Sequence, residues 1–112
     1  EIALRPNVPA SHQEEARKNL RGYYAHIAAL DDCVKEIRRA IADSGHAEDT
    51  LLVFASDHGD MLQSHGLHHK QQPWEESIRV PFLVHYPRKL GRKRRVSRTP
   101  IDAPDIFPTL LG

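Results

Sequence analysis

An apolar run, Leu51-Leu52-Val53-Phe54-Ala55, stops abruptly at Ser56-Asp57-His58-Gly59-Asp60, and that junction limits the folds open to the chain. A short apolar segment between polar residues suits a strand buried on both faces, as in a parallel sheet flanked by helices. A buried helix segment is the other reading of the same pattern. In open α/β sheets, ligands bind beyond the carboxyl ends of the strands, which puts Asp57 and His58 where such a fold does its chemistry. A carboxylate oxygen and a neutral imidazole nitrogen are both good ligands for divalent cations. Gly59 would let the chain turn sharply after them. From these residues alone the plainer role, an Asp and a His bonding loop backbone at a strand end, weighs more.

Before this junction the sequence reads as a helical segment, residues 1–49. Ser11 and Glu14 have capping-box spacing. Ala16, Leu20, Tyr23, Ile27, Leu30, Val34, Ile37 and Ile41 then recur at three- and four-residue steps, giving one apolar face. Gly22 marks a kink or a break between two helices, and Gly45 a C-terminal stop. Tyr23 and Tyr24 belong to the core or its edge. Cys33 reads as a small buried hydrophobe; as the only cysteine it cannot form an internal disulfide.

After the junction, Val80 to Tyr86 reads as a second strand of the same sheet, with Pro81 near its start, where a missing N–H is tolerated. The 50–87 stretch is then strand, loop and strand, with a short helical turn near Pro73 to Ile78. Glu75 and Glu76 suit a solvated or Arg79-paired helix face better than a general base. Residues 88–96 form a basic loop, Arg88-Lys89-Leu90-Gly91-Arg92-Lys93-Arg94-Arg95, without interleaved aromatics. It reads as a solvated connection that could steer an anionic substrate. Asp102-Ala103-Pro104-Asp105 opens a short helix in the closing segment 97–112, with Pro104 near its first turn.

From Met61 to Pro81 the sequence is Met-Leu-Gln-Ser-His-Gly-Leu-His-His-Lys-Gln-Gln-Pro-Trp-Glu-Glu-Ser-Ile-Arg-Val-Pro, and with the junction it resembles the sulfatase family. Sulfatases, and the related phosphonate monoester and phosphodiester hydrolases, carry a strand ending in Ser-Asp-His-Gly-Asp or Ser-Asp-Asn-Gly. A loop with His-Gly and Lys follows, then a segment like Tyr-Glu-Glu-Ser-Ile-Arg-Val-Pro. Here Trp74 stands at the Tyr position and Glu75 to Pro81 match. More loosely, Tyr23 to Asp31 resembles the family's helix before the metal strand, and Asp105 to Leu111 its helix after it.

The resemblance implies an α/β fold, a partial alkaline-phosphatase-like domain with a sheet flanked by helices. It also implies a metal-dependent sulfuric ester hydrolase acting on small-molecule or glycan sulfate esters, with the phosphonate monoester and phosphodiester hydrolases as the alternative that His58 favours over asparagine. Asp57 and His58 match metal ligands, and Lys70, thirteen positions after Asp57, matches the lysine on the sulfate oxygens. His65 could donate a proton to the leaving group. His68 and His69 are loop or rim residues. Calcium is the family's metal, while an imidazole ligand tilts toward manganese or zinc. The family's nucleophile, a formylglycine made from Cys or Ser before x-Pro-x-Arg, has no match, and Cys33 lacks that context. The expectation is therefore the C-terminal part of a catalytic domain, inactive without its N-terminal part.

A formal net charge of +1 gives no global attraction to nucleic acid. No apolar run is long enough to span a bilayer. Open sheet edges in so short a chain favour self-association into homo-oligomers. The reading from a different class is a non-catalytic fragment that binds an anionic polymer through Arg88 to Arg95.

Overall fold

A computed structural model describes residues 2–112. A 3-10 turn at Ala10–His12 runs into α1, Gln13–Asp43. The remaining elements are β1 (Leu52–Ala55), a second 3-10 turn at Ser64–Gly66, α2 (Glu75–Ile78), β2 (Phe82–His85), α3 (Pro87–Leu90) and α4 (Ala103–Leu111). At about 1.5 Å per residue the 31 residues of α1 make roughly 46 Å of helix. That one element accounts for the long dimension of a molecule 52 × 29 × 21 Å in extent. Among the described residues no helix is long and apolar enough to cross a membrane.

The α1 expectation holds in extent and fails at its start. Ser11 lies inside the 3-10 turn, so it is not at a helix boundary where its hydroxyl could cap. His12 takes the N-cap position with no side-chain cap, and Ser11 Oγ instead bonds His12 Nδ1 at 2.9 Å. The helix passes through Gly22 unbroken, correcting the expected kink. Its C-terminus closes as expected, with Gly45 in the left-handed region at φ +78°. The final helix α4 is the better capped one. Asp102 accepts from Ala103 N, Asp105 accepts from Asp102 N at 2.8 Å, and the two carboxylates form a capping box.

β1 and β2 do share a sheet, but as an antiparallel pair in the register Leu52 with His85 through Ala55 with Phe82. The parallel pairing suggested by the apolar run is thus corrected for these two strands. The physical reason is the segment between them, which holds loops, a three-residue 3-10 turn and the four-residue α2 but no long helix. A parallel return usually runs through a crossover helix laid on the sheet, and four residues are too few to make one. β1 is half-buried rather than buried, with Ala55 exposed.

α1 faces the sheet across a cavity of about 310 Å³ bordered by Ile27, Leu30, Val34, Leu52, Phe54 and Leu83. The apolar stripe is present but little covered: Ile27, Leu30 and Ile37 are 45–54% exposed. Tyr23, Tyr24 and Cys33 are all exposed, correcting the expected core or core-edge place of the tyrosines and the expected burial of the cysteine. The fully buried positions lie elsewhere. Ala16, Met61, Gln63 and Ser64 are wholly enclosed and Val8 and Ser77 nearly so, so the tight core gathers where the start of α1 meets the loop after β1.

Candidate active site

The 61–71 loop is built on unusual backbone. Leu62, Gln63, His65, His69 and Gln71 all have positive φ, a region that non-glycine residues enter at a cost of order 1–3 kcal/mol each. Their surroundings hold them there. Met61 is the loop's enclosed hydrophobic anchor and donates its N–H to His69 O at 2.8 Å. Gln63 donates to Leu67 O and His65 to Asn7 O, both at 2.9 Å. Asp60 Oδ1 receives Leu62 N at 2.8 Å, turning the chain at the loop's entry.

Gly59 ties this loop to α2. Its N–H donates to Ser77 O at 2.7 Å, and a Cβ on it would overlap the Glu76 carbonyl oxygen and stand 3.0 Å from the carbonyl carbon. Its φ is not among the positive ones. The sharp turn expected of Gly59 is therefore replaced by a different need, the close approach of two backbones.

Asp57 and His58 emerge side by side past the end of β1. Asp57 Oδ1 accepts His58 N at 2.9 Å, and Ser56 Oγ donates to His58 O at 2.8 Å. His58 Nδ1 is 2.8 Å from Gly59 O. A carbonyl oxygen only accepts, so Nδ1 carries the proton, and in the neutral ring Nε2 is left with a lone pair. That nitrogen faces Asp57 Oδ2 at 3.4 Å. Two acceptors so placed are reconciled by a proton or a cation between them. A ring that donates its other N–H to a backbone carbonyl is also the usual arrangement of a metal-binding histidine. The donor set therefore fits a divalent cation as half a shell. Among the described residues no group of three or more His, Cys, Asp or Glu side chains gathers to complete it.

The Asp57 carboxyl is held below its ordinary value. Its slight desolvation pushes upward, but the His58 N–H, the charge of His58, Asp57's own backbone and the charge of Lys70 together outweigh it. Lys70 is exposed, and its positive charge is the last of the effects that lower the Asp57 carboxyl. His68 and His69 are exposed, with ring centroids 6.0 Å apart, in keeping with rim positions.

His65 belongs to a second cluster. Its ring stacks on Trp74 at a centroid distance of 4.5 Å and 21° between planes. Its Nε2 is 3.1 Å from Asn7 Nδ2, which also donates to Glu76 Oε1 at 2.8 Å. An amide nitrogen only donates, so His65 Nε2 accepts and the proton resides on Nδ1. Arg5 approaches the same Glu76 oxygen at 3.3 Å. Glu75 pairs with Arg79 at 3.5 Å as expected. Glu76 does not: its side chain is only 11% exposed and turned inward, correcting its solvated reading. Asn7 carries no signal in the sequence, because its partners lie 58 and 69 residues away.

Glu76 is likewise held below its ordinary value near 4.5, first by the Asn7 amide and then by its own backbone, with Ser64 and Arg5 adding to this against the opposing effect of burial. A carboxyl depressed in the folded state stabilises it above the unfolded value. That contribution is lost as pH falls through the folded value. Glu76→Gln should accordingly unfold at lower urea than the native sequence at pH 7, with the gap closing below about pH 4.5. Equal midpoints for the two proteins at pH 7 would contradict the assignment.

The sulfatase family model matches residues 5–112. An ulvan-active sulfatase of Formosa agariphila is 41% identical over 113 aligned positions, covering 99% of this chain and 22% of the relative. A choline-sulfatase of Rhizobium meliloti is 38% identical over 98 residues, with 88% and 19% covered. A solved structure from work on glycosaminoglycan metabolism by Bacteroides thetaiotaomicron superposes with a TM-score of 0.86 at 35% identity, over 96% of this chain and 21% of the other. The chain thus spans about a fifth of the length of the relatives it matches. With the family model covering nearly all of its residues, the chain belongs to the sulfatase family.

Proposed function

We propose that the whole protein hydrolyses sulfate esters, and that this chain supplies half of its metal shell and the cation that meets the sulfate. The observation that carries this is the Asp57–His58 pair, with a lone pair on Nε2 3.4 Å from Oδ2 and the opposite ring nitrogen fixed by Gly59 O. A divalent cation bound there would polarise the ester and favour an ionised oxygen nucleophile. Calcium is the metal expected by family; the imidazole leaves manganese or zinc as alternatives. The nucleophile and the remaining ligands come from outside these residues, so residues 1–112 alone would not turn over.

Lys70 binds the oxygens of the transferred group and offsets the charge that builds on them as the bond breaks. His65 is the proposed proton donor to the leaving group. Its free Nδ1–H is the only ring proton available to it, because Nε2 is taken up by Asn7.

In the intact enzyme, Lys70→Met should lower kcat/KM for 4-nitrophenyl sulfate by about 100-fold, within the range for losing one charge-stabilising donor. Metal content should stay unchanged. Unchanged turnover would remove Lys70 from the mechanism. The same assay with bis-4-nitrophenyl phosphate and a phenylphosphonate ester tests the related hydrolase reading that His58 favours. A higher kcat/KM on either of those than on the sulfate ester would replace the sulfatase assignment.

A further inference from the structure

Seven of the chain's sixteen Lys and Arg residues, and none of its Asp or Glu, lie between positions 88 and 98. The rest of the chain is therefore net negative, and its overall charge of +1 conceals a strongly segregated pattern. The structure divides these cations into two sets. Arg88 Nη2 donates to Asp49 Oδ2 at 2.7 Å, and Arg92 pairs with Glu48. The backbone joins in, with Arg88 N donating to Glu48 O at 3.2 Å. These contacts pin the start of the segment beside the entry to β1.

Lys93, Arg94, Arg95 and Arg98 have no ion-pair partner among the described residues and all are exposed, on a stretch without helix or strand. The pinned arginines already satisfy the acids nearby. The four that follow form a block of unmatched positive charge on a fixed base.

Its place in the fold decides what it could serve. Glu48 and Asp49 precede β1, whereas Asp57 follows it. A four-residue strand at about 3.3 Å per residue puts roughly 10 Å between its ends before the flanking loops are added. The block is thus anchored at the end of β1 opposite Asp57, a spacing that suits a charged polymer reaching both ends of the strand. Resting on the sulfate-ester reading above, we infer that residues 93–98 are a binding surface for a sulfated polysaccharide, separate from the metal site, that holds the polymer while one of its esters is cleaved. A linear polymer with repeated sulfates gains by counterion release from such a block. Nucleic acid is the poorer match, because the stretch offers no aromatic platform for bases and no helix for a groove.

The test uses the intact enzyme and a fourfold variant, Lys93→Gln, Arg94→Gln, Arg95→Gln and Arg98→Gln, which keeps the Arg88 and Arg92 pins. Dextran sulfate is the probe. The native enzyme should bind it with an affinity that falls steeply with salt. The variant should bind about tenfold or more weakly with a shallower salt dependence, while its kcat/KM on 4-nitrophenyl sulfate stays within twofold. Equal binding by both proteins, or tighter binding of duplex DNA or of anionic vesicles than of dextran sulfate at equal charge, would overturn the inference. Tight, variant-sensitive dextran sulfate binding by an enzyme that cleaves no sulfate ester would support the surface and sink the proposed reaction.

Discussion

Asp57→Ala in the intact enzyme should lower kcat/KM for sulfate esters by on the order of 1,000-fold or more, since a metal's charge stabilisation amounts to several kcal/mol and each 1.36 kcal/mol is a factor of ten. Metal content measured on the same preparation should fall with it. His58→Ala should act in the same direction, because it removes the nitrogen that faces Asp57 Oδ2 at 3.4 Å. Neither loss should come from unfolding. The Asp57 side chain is 82% exposed and touches little besides the His58 N–H, so the thermal midpoint of metal-free protein should scarcely move. Asp57→Asn sharpens the test: it preserves an acceptor for that N–H while removing the charge. An Asn variant as impaired as the Ala variant would trace the defect to the missing carboxylate, whereas native-level metal and turnover in Asp57→Ala would remove this pair from the reaction.

The strand exit was legible because it depends on local contrast. Leu51 to Ala55 are apolar, Ser56 to Asp60 are not, and a strand end with a carboxylate and an imidazole needs no distant partner to be noticed. The α4 cap was legible for the same reason, since Asp102 and Asp105 bond to each other's backbone within one turn. Failures came where a neighbour far along the chain decides the outcome. Glu75 and Glu76 are adjacent on one turn and look alike in sequence. Asn7 and Arg5 draw Glu76 inward while Arg79 meets Glu75 at the surface. Periodicity likewise located the apolar stripe of α1 but not its burial. Burial depends on what packs against Ile27, Leu30 and Cys33, and this chain spans only about a fifth of its relatives' length.

Gly59 and Gly22 give the sharpest contrast that the structure predicts. An alanine methyl at Gly59 would collide with backbone, the carbonyl of Glu76, and not with a side chain able to rotate away. Relief requires separating the β1 exit from α2, which breaks the 2.7 Å bond from Gly59 N to Ser77 O and loosens the ground under His58, whose Nδ1 is held by Gly59 O. Overpacking that moves backbone costs about 1–3 kcal/mol, and a broken buried hydrogen bond adds about 1–3 more. Gly59→Ala should therefore lower the urea midpoint sharply and weaken metal binding together. Gly22 sits inside α1 on ordinary helical backbone, and a methyl added there would meet nothing within 4 Å. Gly22→Ala should stabilise the protein by about 0.5–1 kcal/mol and leave metal affinity alone. The opposite signs separate the two functions a glycine can have in this chain. Should both variants unfold alike, the close approach of Gly59 to α2 is not what holds Asp57 and His58 in place.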